Sequence, residues 1–462
     1  MSQVGPATQT ALRRLLGPVS VACVGIGGAI GSGIFATPGE AAKHLSSPWV
    51  ILGVWLAAGV ITLLQSMVTA ELATRLPKAG GEYQFLKEAY GEFAAFFFGW
   101  SFTVFIVGGG AGTIAAAFGT FLAQLLMMEQ TWAEPRLGCA AIIAVMIVNG
   151  LGLRSGAVTQ NILTFLKTLA LLAIAVGAML MAGRVTPATP PADSGIVGHS
   201  SLNGFLLALI PAYWAYSGAT DAAKLAEETR DVRRALPLAL LTTVGTLTVV
   251  YCFYNYALLC AVTPGEMAGR TSVPSLIFAR KTGWGADELI LAASALICLG
   301  AISSVFLANV RVTYALARDG LTFKVLGRMS RNQAPIGSIL VGGALACSFV
   351  LYRDFAGILR IYFLGSTVLF GLTYASLLVF RRRERMAGNA ERPDVFYTPA
   401  GPFVAVLLIG IELALAVSIV VDDLQTGSRD SLWTIALLVG LALLYVVWRW
   451  AHGGGRIGQD PR

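Results

Sequence analysis

Gly25-Ile-Gly-Gly-Ala-Ile-Gly-Ser-Gly-Ile-Phe35 puts five glycines inside a stretch that is otherwise apolar enough to cross a bilayer. Mostly apolar residues lead into it from Val19 and Pro38-Gly39 closes it, so about twenty residues could span the hydrocarbon with the glycines near mid-depth. A continuous helix has no use for Gly31-Ser32-Gly33 there, since glycine costs roughly 1 kcal/mol against alanine in a helix interior. Unwound backbone at that depth is tolerated only where protein or a watery cavity satisfies it. The run therefore suggests a broken helix lining a binding site. Gly27 and Gly31, spaced as small-xxx-small, could instead let another helix pack closely.

The whole chain fits a polytopic membrane protein: of 462 residues, 56% are hydrophobic and only 13% charged. Twelve candidate spans follow from hydropathy: 20–41, 49–73, 93–127, 137–153, 157–182, 201–228, 236–262, 286–317, 336–352, 355–380, 401–421 and 431–450. A net charge of +8 would suggest nucleic acid in a soluble chain. Here the clusters Arg230/Arg233/Arg234, Arg318/Lys324/Arg328/Arg331 and Arg381/Arg382/Arg383/Arg385 all fall on one face. By the positive-inside rule that face is cytoplasmic, as are both termini, and the expected surroundings are membrane lipid rather than nucleic acid. No cleavable signal peptide is expected, because the first apolar run is long and continues into the glycine motif. One membrane domain over 1–462 accounts for the chain, with 453–462 expected as a disordered tail.

Six cysteines lie within or at the ends of apolar segments, and the three histidines, His44, His199 and His452, fall in loops or the tail. Neither metal-ligand spacing nor a nucleophilic triad is present, so no metal, cofactor or enzymatic role is expected.

A second irregular stretch, Pro211-Ala-Tyr-Trp-Ala-Tyr-Ser-Gly-Ala-Thr-Asp221, interrupts the sixth segment with aromatics, hydroxyls and Gly218. Segments one and six are five apart. Interrupted helices at corresponding positions in two five-helix halves are what an inverted-repeat transporter predicts, with substrate bound between them near the midplane.

Several motifs, in order, resemble the amino acid–polyamine–organocation superfamily and, within it, the L-amino acid transporter-like permeases. They are Gly31-Ser-Gly-Ile-Phe35, Glu71-Leu-Ala-Thr-Arg-Leu-Pro-Lys-Ala-Gly-Gly-Glu-Tyr83, Trp214-Ala-Tyr-Ser-Gly218 with Glu227-Glu228 and Pro237, and Ala317-Arg-Asp-Gly320. The resemblance covers nearly the whole chain. It implies an all-α leucine-transporter fold of twelve helices: a first five-helix repeat in 20–182, a second in 201–380, two peripheral helices in 401–450, and broken helices one and six. In that fold the amides of Gly31, Ser32 and Gly33 would meet a substrate carboxylate, and carbonyls near Ile30 and of Trp214, Ala215 and Ser217 would hold its ammonium. Tyr216, Gly218 and Ala219 complete the stretch expected to bind substrate. Trp214 takes the place of the family's occluding aromatic, although it could be a core aromatic. At Ala219 relatives carry a bulky aromatic, so a larger or differently shaped pocket is expected here.

Lys167 lies near the middle of the fifth segment, about 15 Å from either end. A lysine at a helix centre costs about 2.5–3.5 kcal/mol on insertion scales, which makes it a functional candidate by default. Several sodium-independent relatives have a lysine here, its ammonium standing where sodium-coupled relatives hold the ion. The resemblance implies carbonyls near Gly27 and Ile30 and the hydroxyls of Ser303 and Ser304 as its partners, and such a lysine could exchange a proton during the cycle. It could equally be a fixed charge pinning helices together. Asp221 either pairs with Lys224 at i+3 or faces the cavity and favours an amine. Glu227 and Glu228 are expected to brace the inner gate, and Glu412, an acid in an apolar helix, has no evident partner in the sequence.

These features predict sodium-independent transport of a small neutral amino acid by alternating access. The rivals are an amine or polyamine permease and a sensor that binds without transporting. A disulfide-linked heavy chain, as eukaryotic relatives have, would use a cysteine between segments three and four; Met127 to Leu137 contains none, so no such partner is expected.

Overall fold

A computed structural model of the chain describes residues 17–31, 33–77, 80–150, 157–183, 186–187, 202–282, 285–330, 334–388 and 391–451. Ser32 and the 453–462 tail lie outside the described residues, as do the side chains of Glu227 and Glu228. Among those residues the chain is helical throughout.

The first glycine-rich segment is two helices, α1 (Pro18–Ala29) and α2 (Gly33–Ala42), bent by 50°. Next come α3 (Pro48–Arg75), begun by a proline at its first turn, and the short α4 (Glu82–Tyr90). The third segment runs from α5 (Glu92–Ser101) through a π-helix (Phe102–Gly109) into α6 (Gly110–Leu125). Thr103 helps account for the loosened ladder: its hydroxyl bonds back to the Gly99 carbonyl at 2.7 Å and meets Thr313 Oγ1 at 2.7 Å.

Then follow α7 (Gln130–Gly150), α8 (Ala157–Ala182) and α9 (Leu202–Ala215), which gives way to a 3₁₀ stretch, Ser217–Glu228. The α7 helix starts earlier than the sequence suggested, taking Pro135 into its early turns. Beyond these lie α10 (Val232–Ala261), the short α11 (Pro264–Met267) and α12 (Val273–Thr282), and then α13 (Ala286–Ala308) leading into α14 (Val310–Arg318). The chain closes with α15 (Ile336–Tyr352), α16 (Phe355–Met386), α17 (Gly401–Thr426) and α18 (Asp430–Ala451).

Nine of the described helices are long and apolar enough to cross a membrane, or ten if the bent α1–α2 pair is one span. The other two expected segments, α9 and α15, have 14 and 17 residues. They fall below the about 20 residues a span needs, α9 because its helix breaks at Tyr216. Length alone therefore gives nine or ten spans where hydropathy suggested twelve segments.

Helices five segments apart pack on each other: α1 and α2 on the 3₁₀ stretch and α9, α3 on α10, α6 on α13, and α7 on α15. The middle of the third segment is buried, whereas α18 exposes Trp433 and Trp450. Two motifs brace the ends of this bundle. Glu71, fully buried, accepts from Arg75, Arg381 and the Thr398 amide at 2.7–3.1 Å, tying α3 to α16. Asp319 accepts from Tyr83 Oη at 2.7 Å and Lys87 Nζ at 2.5 Å, fastening α4 to the end of α14.

Candidate functional site

The two interrupted segments meet at their breaks. The elements α1 and the 3₁₀ stretch lie together, and so do α2 and α9. Their approach depends on missing side chains. A Cβ on Gly218 would stand 2.5 Å from the carbonyl of Gly28, and one on Gly33 would stand 2.9 Å from Ala215 Cα. A single hydroxyl joins the helix ends: Tyr251 Oη, from α10, lies 3.0 Å from the carbonyl oxygen of Ala29 and 3.3 Å from that of Ala215. These are the last residues of α1 and α9; the Ala29 carbonyl also accepts from the Gly31 amide, while Tyr251 is the donor to that of Ala215 among the described residues. Nothing in the sequence marked Tyr251 for this role.

Beside the breaks is a cavity of about 880 Å³, counting its open mouth. Gly28, Ala29, Gly31 and Gly33 form one wall, and Trp214, Ala215, Ser217, Gly218 and Asp221 another. The third segment supplies Phe102, Ile106, Gly110 and Ile114; α13 supplies Ala301, Ser304 and Val305; and Tyr362 comes from α16. Trp214 is 6% exposed and sits edge-on to Phe355 and Tyr362, with ring centroids 5.9 and 6.5 Å away. The polar part of its lining includes Glu82, Asp221, Lys224 and Asn309. Lys224 Nζ is 2.7 Å from both Asp221 Oδ1 and Asn309 Oδ1, so the i+3 pair is formed. Glu82, Asn309 and Tyr362 are additions that sequence reasoning had not assigned to the site.

The remaining candidates stand elsewhere. Tyr216 turns away, its hydroxyl on the Trp55 carbonyl at 3.2 Å and its ring 4.9 Å from that of Tyr251. Ala219 and Ile30 are fully buried and, like Gly27 and Ser303, do not line the cavity. The Gly31 amide donates to the Ala29 carbonyl at 2.8 Å, so meeting a carboxylate would require that bond to open. Lys167 reaches α13 near Gly300, where Nζ would stand 3.9 Å from an added Cβ. Among the described residues it makes no hydrogen bond or ion pair, and it feels the neighbouring Cys298 thiol. Ser303 contacts Asn149 Oδ1 at 3.3 Å, and Ser304 donates to the Gly300 carbonyl at 3.0 Å.

Apolar spans gathered around two broken helices, with backbone exposed to a central cavity, define a multi-pass membrane transporter. Residues 16–443 match the family model described as amino acid permease, and the chain belongs to that family. It is 28% identical over 392 residues to the b(0,+)-type amino acid transporter 1 of Oryctolagus cuniculus, covering 83% of this chain and 79% of the relative. To the Asc-type amino acid transporter 1 of Homo sapiens it is 28% identical, covering 82% and 73%. It is also similar to the cationic amino acid transporter 4 of Homo sapiens, at 25% identity and coverages of 83% and 62%. The resemblance to L-amino acid transporter-like permeases thus holds, and amino acid transport is the activity it carries.

Proposed function

We propose that this chain is a sodium-independent secondary transporter that moves small neutral L-amino acids across the plasma membrane by alternating access. The observation that carries the reading is the meeting of two helix breaks at one cavity, Gly31 and Gly33 facing Ala215, Ser217 and Gly218. Helix ends of both polarities converge there, amides for a carboxylate and carbonyls for an ammonium, which suits a zwitterion. Packing between helices five segments apart supports two inverted repeats of five helices followed by two peripheral ones. With both termini cytoplasmic, Trp214 closes the outer side and the cavity opens inward. Lys167 stands in for a coupling ion, and no disulfide-linked partner or catalytic step is needed.

Uptake of alanine into proteoliposomes should persist when choline replaces external sodium; its loss would end the Lys167 assignment. Gly31→Leu should insert normally yet bind no substrate, and unchanged affinity would overturn the carboxylate assignment. Labelled-substrate counterflow separates a transporter from a sensor.

A second reading, transport of a cationic amino acid or amine, draws on the cavity's charge. Among the described residues lining the cavity, Glu82 and Asp221 face one cation, Lys224, and one relative is named for cationic substrates. Asp221 is already paired, which weakens the amine alternative. Competition of alanine against lysine, ethanolamine and putrescine discriminates, because amines lack the carboxylate that the glycine break would bind.

A further inference from the structure

Glu412 sits on α17, away from the cavity lining, and is 2% exposed. Its Oε1 lies 3.3 Å from Tyr213 Oη, and its Oε2 has no hydrogen-bond partner among the described residues. No lysine, arginine or histidine bridges to it among those residues. Tyr213 Oη also lies 2.9 Å from Gln65 Oε1 and 3.5 Å from Tyr374 Oη. A tyrosine hydroxyl carries one proton, and two acceptor oxygens compete for this one. If it goes to Gln65, the nearer, an ionised Glu412 keeps only the longer contacts of the Thr367 and Tyr374 hydroxyls and no cation in the membrane interior, which is costly. A protonated Glu412 removes the conflict by donating its own hydrogen to the Tyr213 oxygen.

The titratable groups facing this acid are Tyr213 on α9 and Tyr374 and Tyr362 on α16, with Glu82 of α4 next beyond Tyr374. From α3 comes the neutral amide of Gln65, and α18 brings no titratable group to it among the described residues. Tyr213 immediately precedes Trp214, and α16 carries Phe355 and Tyr362, the two rings that hold Trp214 in place. A change of charge at Glu412 is therefore felt where α9 seats on α16.

We propose that Glu412 is a proton-binding site distinct from the central cavity, whose bound proton holds α9 and Trp214 closed against α16. Loss of that proton leaves a carboxylate that gains hydration only when α9 separates from α16 and α17. The protonation does not rest on the transport reading; its effect on substrate access does.

Infrared difference spectra between acid and alkaline pH, on the full chain in lipid nanodiscs, read the carboxyl proton directly. A protonated-carboxyl C=O band should titrate in the wild type and vanish in Glu412→Gln. Hydrogen–deuterium exchange of 202–216 should rise at alkaline pH in the wild type, stay low at all pH in Glu412→Gln, and lose much of its pH response in Tyr213→Phe. An identical band in Glu412→Gln, or the same pH response of α9 in either variant, overturns the proposal. If Glu412→Gln fails to assemble, Tyr213→Phe decides alone. Expected spectra and exchange without any amino acid uptake would leave this site standing and defeat the transport reading instead.

Discussion

Gly218 and Gly28 touch backbone to backbone: the Cβ that Gly218 lacks would lie 2.5 Å from the Gly28 carbonyl carbon, well inside contact distance. Neither chain can retreat without reshaping the cavity both line. Gly218→Ala should cost about 1–3 kcal/mol through overpacking and depress substrate affinity. Gly28→Ala, whose Cβ would meet the Gly218 carbonyl oxygen at 3.3 Å, should be milder. Gly53→Ala, inside α3 with open space around its Cβ, should melt at or slightly above the wild type; equal melting of all three would contradict the packing argument.

Tyr251→Phe removes the hydroxyl shared by the carbonyls of Ala29 and Ala215. The Ala29 carbonyl keeps the Gly31 amide, but the Ala215 carbonyl loses its donor, and a buried acceptor left so costs about 1–3 kcal/mol. Thermal stability should fall by that order and substrate binding should weaken. Tyr254→Phe, whose hydroxyl has no partner among the described residues, is the matched control and should be near neutral.

Tyr251 also marks where sequence reasoning stops. Glycines at Gly31 and Gly33 and the polar interruption after Pro211 announced the two breaks, because a bilayer punishes irregular backbone that has no purpose. Asp221 and Lys224 were legible as a pair because three residues separate neighbours on a helix face. Tyr251 and Glu412 were not, since their partners arrive from helices far away in the chain: Glu412 contacts a tyrosine 199 residues earlier. Periodicity also could not distinguish Tyr216, turned into the Trp55–Tyr251 cluster, from Trp214, two residues before it and facing the cavity.

Glu71→Ala should be among the most damaging single changes outside the cavity. Arg75 and Arg381 would lose the carboxylate they share, and the Thr398 amide its acceptor. Breaking a buried pair from one side costs about 3–5 kcal/mol. Melting of the purified variant measures this, and a shift no larger than that of an exposed pair such as Arg392→Ala would refute it.

His44, just beyond α2, carries a pH signature. Burial, helped by Arg360 and Lys43 and opposed by Asp422, lowers its imidazole from 6.5 to about 4. The folded protein thus keeps it neutral where the unfolded chain would already bind a proton. Its contribution is complete above the unfolded value of 6.5 and is lost as pH falls from there toward about 4. The loss is on the order of 3 kcal/mol. His44→Gln should flatten that acid limb of the melting profile; an unchanged limb would assign the acid sensitivity to other groups.

The π-wound turns at Phe102–Gly109 have a consequence for how the wall of the cavity is ruled. Phe102, Ile106, Gly110 and Ile114 all face it, at intervals of four. In an ordinary α-helix each such interval rotates about 40°, so Ile114 would end about 120° around from Phe102. The wider winding over Phe102–Gly109 offsets that drift across its own turns, so the four stay on the side that lines the cavity. Deleting a single residue between Phe102 and Gly109 would restore a regular helix, equally apolar and equally able to insert, yet with its inward column turned toward its neighbours. The protein would lose its cavity wall by becoming more regular.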